Sequence, residues 1–182
     1  MRRIKIEQTD VFLENFEKLG QGKITISDPW MGAFTYSWGA MGSDILEFIK
    51  TINSDYFAGK LCCENYVFDA KTSVKNIRKY IKEDMKYDLP YYKFTELQKE
   101  LRVELKKLEK CSTDNEFVDS CFALPERLLC MGATYREENE FKDIISDIFK
   151  TEPWGFIGQK PSPEYVWLKK IHSQLVKLLA AD

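Results

Sequence analysis

The chain has 182 residues, 44% of them hydrophobic, 31% charged and 14% aromatic, with a formal net charge of -2. That length is enough for one ordinary domain, residues 1–182, to bury a core without disulfide or metal staples, and the composition argues against disorder. The near balance of charge argues against both a wholly acidic DNA mimic and a strongly basic nucleic-acid binder, so only the local distribution of charge is informative.

The opening Arg3-Ile4-Lys5-Ile6-Glu7 alternates with period two and reads as a strand. Asp10 is placed to cap a helix that carries Phe12, Phe16 and Leu19 on one face and stops at Gly20. Lys23-Ile24-Thr25-Ile26 reads as a second strand, Asp28-Pro29 as a turn, and Phe34-Thr35-Tyr36-Ser37-Trp38 as a third strand with its aromatics on one face. After the breaks at Gly39 and Gly42, Ser43 should cap a helix with Asp44 and Glu47 in its first turn and Ile45, Phe48, Ile49 and Ile52 inward. The stretch 53–69 is ambiguous, with Tyr66-Val67-Phe68 a candidate buried strand.

From Ala70 onward the pattern is helical nearly throughout. Thr95-Glu96-Leu97-Gln98 is a capping box followed by the stripe Leu97, Leu101, Leu105 and Leu108. Thr113 to Glu116 is a second box, and its helix should kink or end at Pro125. A further helix turns Phe141, Ile144, Ile145 and Ile148 inward, and Pro153-Trp154-Gly155 reads as a turn. Ser162-Pro163-Glu164 starts the last helix, with Leu168, Ile171, Leu175 and Leu178 on its packed face. The expectation is an α+β fold, a small N-terminal antiparallel sheet packed against a mostly helical C-terminal two-thirds.

The sharpest chemical feature lies at 71–86. At 100° per residue, Lys71, Lys75, Arg78, Lys79, Lys82 and Lys86 fall within an arc of about 100°, beside an apolar arc of Val74, Ile77, Ile81 and Met85. Such a row could track a phosphate backbone; it is also what a solvated helix face looks like when lysine stems lie along the edge of a core. Residues 71–110 hold 12 basic and 7 acidic side chains, whereas 111–150 hold 4 and 9, so the middle of the chain is charge-separated. That polarity would orient the protein on a partner, or let two helical segments pair with each other. Tyr36 and Trp38, beside glycine-permitted backbone, are candidate contact residues, or core aromatics next to a tight turn.

Signals for catalysis are sparse. There is neither a GxGxxG nor a P-loop motif, and no paired-carboxylate motif. The one histidine, His172, falls on the packed face of the last helix, where a hydrogen-bonded structural role is the usual case; it could also act as base for Cys62 or Cys63. Cys62, Cys63, Cys111, Cys121 and Cys130 are odd in number and show no CxxC spacing, which fits reduced thiols in a cytoplasmic protein. The sequence therefore reads as a binding protein, not an enzyme, with no catalytic residues, metal or cofactor. No apolar run reaches the ~18 residues needed to span a bilayer.

Trp38-Gly39-Ala40-Met41-Gly42-Ser43, Ile52-Asn53-Ser54-Asp55-Tyr56-Phe57, Val67-Phe68-Asp69-Ala70-Lys71, Glu152-Pro153-Trp154 and Tyr165-Val166-Trp167-Leu168-Lys169-Lys170-Ile171-His172 together resemble small phage-encoded proteins. In length and opening residues the chain also resembles type II-A anti-CRISPR proteins. That resemblance implies a protein of the bacterial host cytoplasm that binds the guide-RNA-loaded type II CRISPR effector nuclease and blocks target DNA cleavage, either at a DNA-binding surface or at the conformational step that licenses cutting. An acidic patch at Asp114, Glu116 and 137–140 would meet a basic groove, and the basic row would meet guide RNA or DNA. The other expectation is a phage nucleic-acid-binding accessory protein, and a homodimer is open in either case.

Overall fold

In a computed structural model, residues 1–83, 95–128, 134–150 and 153–181 are described. The elements in chain order are β1 (Arg2–Ile6), β2 (Thr9–Asn15), β3 (Gly22–Asp28), β4 (Gly32–Trp38), α1 (Ile45–Thr51), α2 (Ser54–Leu61), β5 (Tyr66–Phe68), α3 (Ala70–Glu83), α4 (Thr95–Leu108), α5 (Asp114–Phe122), α6 (Leu124–Arg127), α7 (Tyr135–Lys150), a 3-10 turn (Pro153–Phe156), β6 (Gln159–Pro161) and α8 (Pro163–Ala181). The fold is α+β, with an N-terminal antiparallel sheet and a mostly helical remainder. The chain contains two compact units, Met1–Val67 with Pro161–Asp182, and Phe68–Lys160.

The first unit is built on the sheet β1-β2-β3-β4, every neighbouring pair antiparallel. Alternation sorts its side chains: Val11, Leu13, Ile24 and Ile26 are at most 1% exposed and face the core, while Lys5, Phe12, Thr25 and Thr35 take the other face. Over the apolar face lie α1, α2 and α8, which contribute Ile45, Ile49, Phe57, Leu61, Leu168, Ile171 and Leu175 to the same cluster. A buried polar pair closes the sheet's far corner. Thr9 Oγ1 donates to Asp28 Oδ2 at 2.6 Å, and Asp28 Oδ1 accepts from the amides of Trp30 and Met31, which fixes the turn into β4.

Residues 9–15 are a strand, not the expected helix from Asp10 to Gly20. Thr9, Val11 and Leu13 are buried in strict alternation, and β2 pairs on both sides, Val11 opposite Ile4 and Ile26. The residues whose spacing suggested a helix are the ones that find no core, Phe16 at 40% exposed and Leu19 at 88%. The strand ends at Asn15, and Gly20, with φ +78, lies in the turn that follows. The cap of α1 is Asp44, one residue past Ser43: its carboxylate accepts from the amides of Leu46 and Glu47. The ambiguous stretch contains α2, capped by Asn53 Oδ1 on the Tyr56 amide, followed by β5, which is part-exposed instead of buried.

The second unit is a helical cluster. Leu97, Leu101, Leu105 and Leu108 of α4 are all buried, as their stripe predicts, with Val74 and Ile77 of α3, Phe117 and Cys121 of α5, and Phe141, Ile145 and Ile148 of α7 in one core. Thr113 caps α5 through the Glu116 amide, and Pro125 falls in the first turn of the short α6, where the chain has already broken from α5. The expected turn at Pro153 is a single 3-10 turn. In the first unit, Ser162 Oγ accepts from the Tyr165 amide and starts α8 as its sequence predicts. Leu178 is 42% exposed, however, and Leu179 takes the buried position.

Candidate functional site

The helix α3 is positioned by its own apolar face. Ala70, Ser73, Val74 and Ile77 are buried, and Asp69 caps the first turn by accepting from the Thr72 amide and hydroxyl. Ser73 is wholly buried, and its hydroxyl both donates to the Asp69 carbonyl and accepts from the Gly158 amide at 2.8 Å. These bonds fix the rotation of the helix. The opposite face is therefore held toward solvent, and Lys71, Lys75, Arg78, Lys79 and Lys82 are all exposed on it. Lys86 and Met85 lie outside the described residues.

The row is not uniform. Arg78 is engaged by Glu109 at 3.0 Å and Lys79 reaches Glu83 at 3.8 Å. Lys71, Lys75 and Lys82 have no ion pair among the described residues. These three recur at i, i+4 and i+11, along ~16 Å of helix axis. Three ammonium groups without counterions among the described residues are the part of the row that could meet external phosphates.

Tyr36 and Trp38 belong to the first unit, in a cluster of a different kind. Trp38 is only 5% exposed; its ring packs edge-on against Tyr36 at 4.9 Å and Phe48 at 5.3 Å, and its Nε1 donates to the Tyr56 hydroxyl. Lys60 lies over both the Tyr36 and Tyr56 rings at 5.6 and 5.5 Å. The arrangement joins β4 to α1 and α2, so Trp38 serves the core here. Tyr56 and Lys60 could not be read from the sequence as its partners, because 53–69 carries no clear period. Nearby, Tyr165 donates to Asp55, which also pairs with Lys169; the bond to Asp55 pushes the Tyr165 phenol up to about 12.

His172 and Cys121 are buried, whereas Cys62 and Cys111 are part-exposed. His172 is buried against Phe57, its Nε2 3.1 Å from the Ile49 carbonyl oxygen. The Cys62 thiol donates to the Glu64 carbonyl, and Cys63 is exposed. Burial raises the Cys111 thiol and pushes Cys121 up to about 12, which keeps both protonated near neutrality. Cys130 lies outside the described residues. Among the described residues no group of three or more His, Cys, Asp and Glu is placed to hold a metal, and no helix is long and apolar enough to cross a membrane.

The acidic residues are largely engaged with their own helices. Glu116 accepts from the Ser112 amide, Glu137 from Thr134, Glu138 pairs with Lys142 and Glu140 with Arg136. On α3, by contrast, Lys71, Lys75 and Lys82 share one exposed face with no ion pair among the described residues.

A family model described as a phage family matches residues 1–181. The chain belongs to this phage family. The match takes in both compact units. No curated protein and no solved structure matches the chain.

Proposed function

We propose that this phage-family protein acts by binding nucleic acid through the exposed face of α3, without catalysing a reaction itself. The observation that carries the reading is the trio Lys71, Lys75 and Lys82. They share one solvent-facing row, lack ion pairs among the described residues, and stand on a helix whose rotation is fixed by the buried Val74 and Ile77 and by the Ser73 bonds. A polyanion gains affinity from such a row because each lysine neutralises a phosphate and releases a condensed counterion.

Fluorescence anisotropy with labelled single-stranded RNA and duplex DNA, over a salt series, tests it. Binding should weaken linearly in log salt, with a slope of about -2.7 on duplex if all three lysines each meet a phosphate. The triple variant Lys71→Glu, Lys75→Glu, Lys82→Glu should lose binding while keeping its helix content. Absence of binding at low salt rejects the reading.

The resemblance to type II-A anti-CRISPR proteins favours a narrower form. In it the phosphates are those of guide RNA or target DNA held by a type II-A RNA-guided nuclease, and the protein blocks target cleavage in the bacterial host cell. Plasmid cleavage by guide-loaded nuclease, with and without the protein, separates the two. Protection that the triple variant loses supports the narrower form; nucleic-acid binding without protection across several nucleases leaves the broader one.

A further inference from the structure

The two edges of the first unit's sheet are unlike. β1 carries Arg2, Arg3 and Lys5 in five residues, so bringing a second strand of the same kind against it would oppose like charges. β4, Gly32-Ala33-Phe34-Thr35-Tyr36-Ser37-Trp38, is seven residues long with no charged residue and no proline. Its register with β3 runs through seven consecutive pairs, from Gly22 opposite Trp38 to Asp28 opposite Gly32, without a bulge. β3 is its one strand partner among the described residues, and Gly32, Ala33, Thr35 and Ser37 are exposed. An antiparallel strand bonded on one side turns alternate N–H and C=O groups outward, where they template another strand. Charge, proline and bulge, three of the usual protections of such an edge, are all missing from β4, and α2 meets it on the core face through Tyr36 and Trp38.

We propose that β4 pairs antiparallel with β4 of a second copy of this chain, about a twofold axis at Thr35. The strand's own sequence selects that occupant. In this register Thr35 faces Thr35, Tyr36 faces Phe34, Ser37 faces Ala33 and Trp38 faces Gly32. Every pair is uncharged, a hydroxyl meets a hydroxyl, two aromatics meet, and the bulkiest side chain meets the one residue without any. The result is an eight-stranded sheet across the dimer, with the basic β1 strands left at its outer edges, where they block further addition. A seam of seven residues is short, which places the dimer in the weak, concentration-dependent class.

Sedimentation velocity from ~10 µM to ~1 mM, with hydrogen exchange on the same samples, tests the pairing. The wild type should shift from monomer to dimer as β4 amides gain protection. Thr35→Lys puts lysine against lysine at the axis and should weaken the dimer by roughly tenfold or more. Mixing Thr35→Lys with a Thr35→Glu variant should restore it, and Thr35→Val should leave it unchanged. A monomer at the highest concentration, or a dimer whose β4 amides stay unprotected, overturns the proposal; the exchange experiment uses the wild type, so it stands even where a variant fails to fold. A monomer whose β4 becomes protected only with another protein would assign the edge to a different strand.

Discussion

Glu7 has φ +54 and is the one described residue other than glycine with a positive φ. It occupies the two-residue turn between Ile6 and Thr9, which pair across the β1–β2 hairpin. Turns of that length need a left-handed residue, and glycine or asparagine adopts it at least cost. Glu7→Gly should therefore raise stability by ~0.5–1 kcal/mol, read as a higher urea midpoint at unchanged m. The same residue explains why the hairpin was hidden: Glu7-Gln8 carries no turn signature, so nothing in the sequence separated β1 from β2. His172 makes a second single-residue case. Burial pushes its imidazole below the ordinary 6.5, against the bond to Ile49 oxygen, which pulls upward. Between the depressed folded value and 6.5 the unfolded chain binds a proton that the folded chain does not. Stability is thus fully present above 6.5 and falls as pH drops through that window. Urea unfolding at about pH 7.5 and about pH 5.5 should show this loss in the wild type and a smaller one in His172→Gln, which keeps an N–H for the Ile49 carbonyl.

Among the elements, the tightest junction described is between α3 and the segment before β6. A Cβ on Gly158 would meet Thr72 Cγ2 at 2.5 Å, Thr72 Cβ at 2.6 Å and the Ser73 amide nitrogen at 2.8 Å. Gly158→Ala should cost ~1–3 kcal/mol, with exchange protection lost in α3 first. Thr72→Ser should not rescue it, since it removes only Cγ2 and leaves the backbone contact. Elements with a sustained apolar stripe or a strong cap were legible in advance: α4 and α7 stand where Leu97–Leu108 and Phe141–Ile148 put them, and α5 and α8 start at the caps Thr113 and Ser162, although Thr95, expected to cap α4, is its first helical residue. β2 was not, because Phe12, Phe16 and Leu19 mimic a helical face while pairing on both sides decides for a strand. On α3 the periodicity put Lys71, Lys75, Arg78, Lys79 and Lys82 on one exposed face but did not tell which of them have ion pairs among the described residues. That depends on Glu109 and Glu83, whose reach toward Arg78 and Lys79 is a tertiary fact. Trp38 likewise read as a contact candidate because Phe48 and Tyr56, which bury it, lie in segments with no visible link to β4.

For the whole molecule, the order of synthesis runs against the order of packing. The sheet is made first, but α8, which supplies Leu168, Ile171, His172 and Leu175 to its core, follows the entire second unit in the chain. On the ribosome, the second unit can therefore complete its core while the sheet's face of Val11, Leu13, Ile24 and Ile26 still lacks α8. For that interval the nascent chain presents a half-covered apolar sheet with the uncharged β4 at its rim, the combination that chaperones hold and that aggregation exploits. Any arrest of translation before α8 leaves the tunnel would keep the chain in that half-covered state, with its lysine-bearing helix already outside and its sheet still waiting.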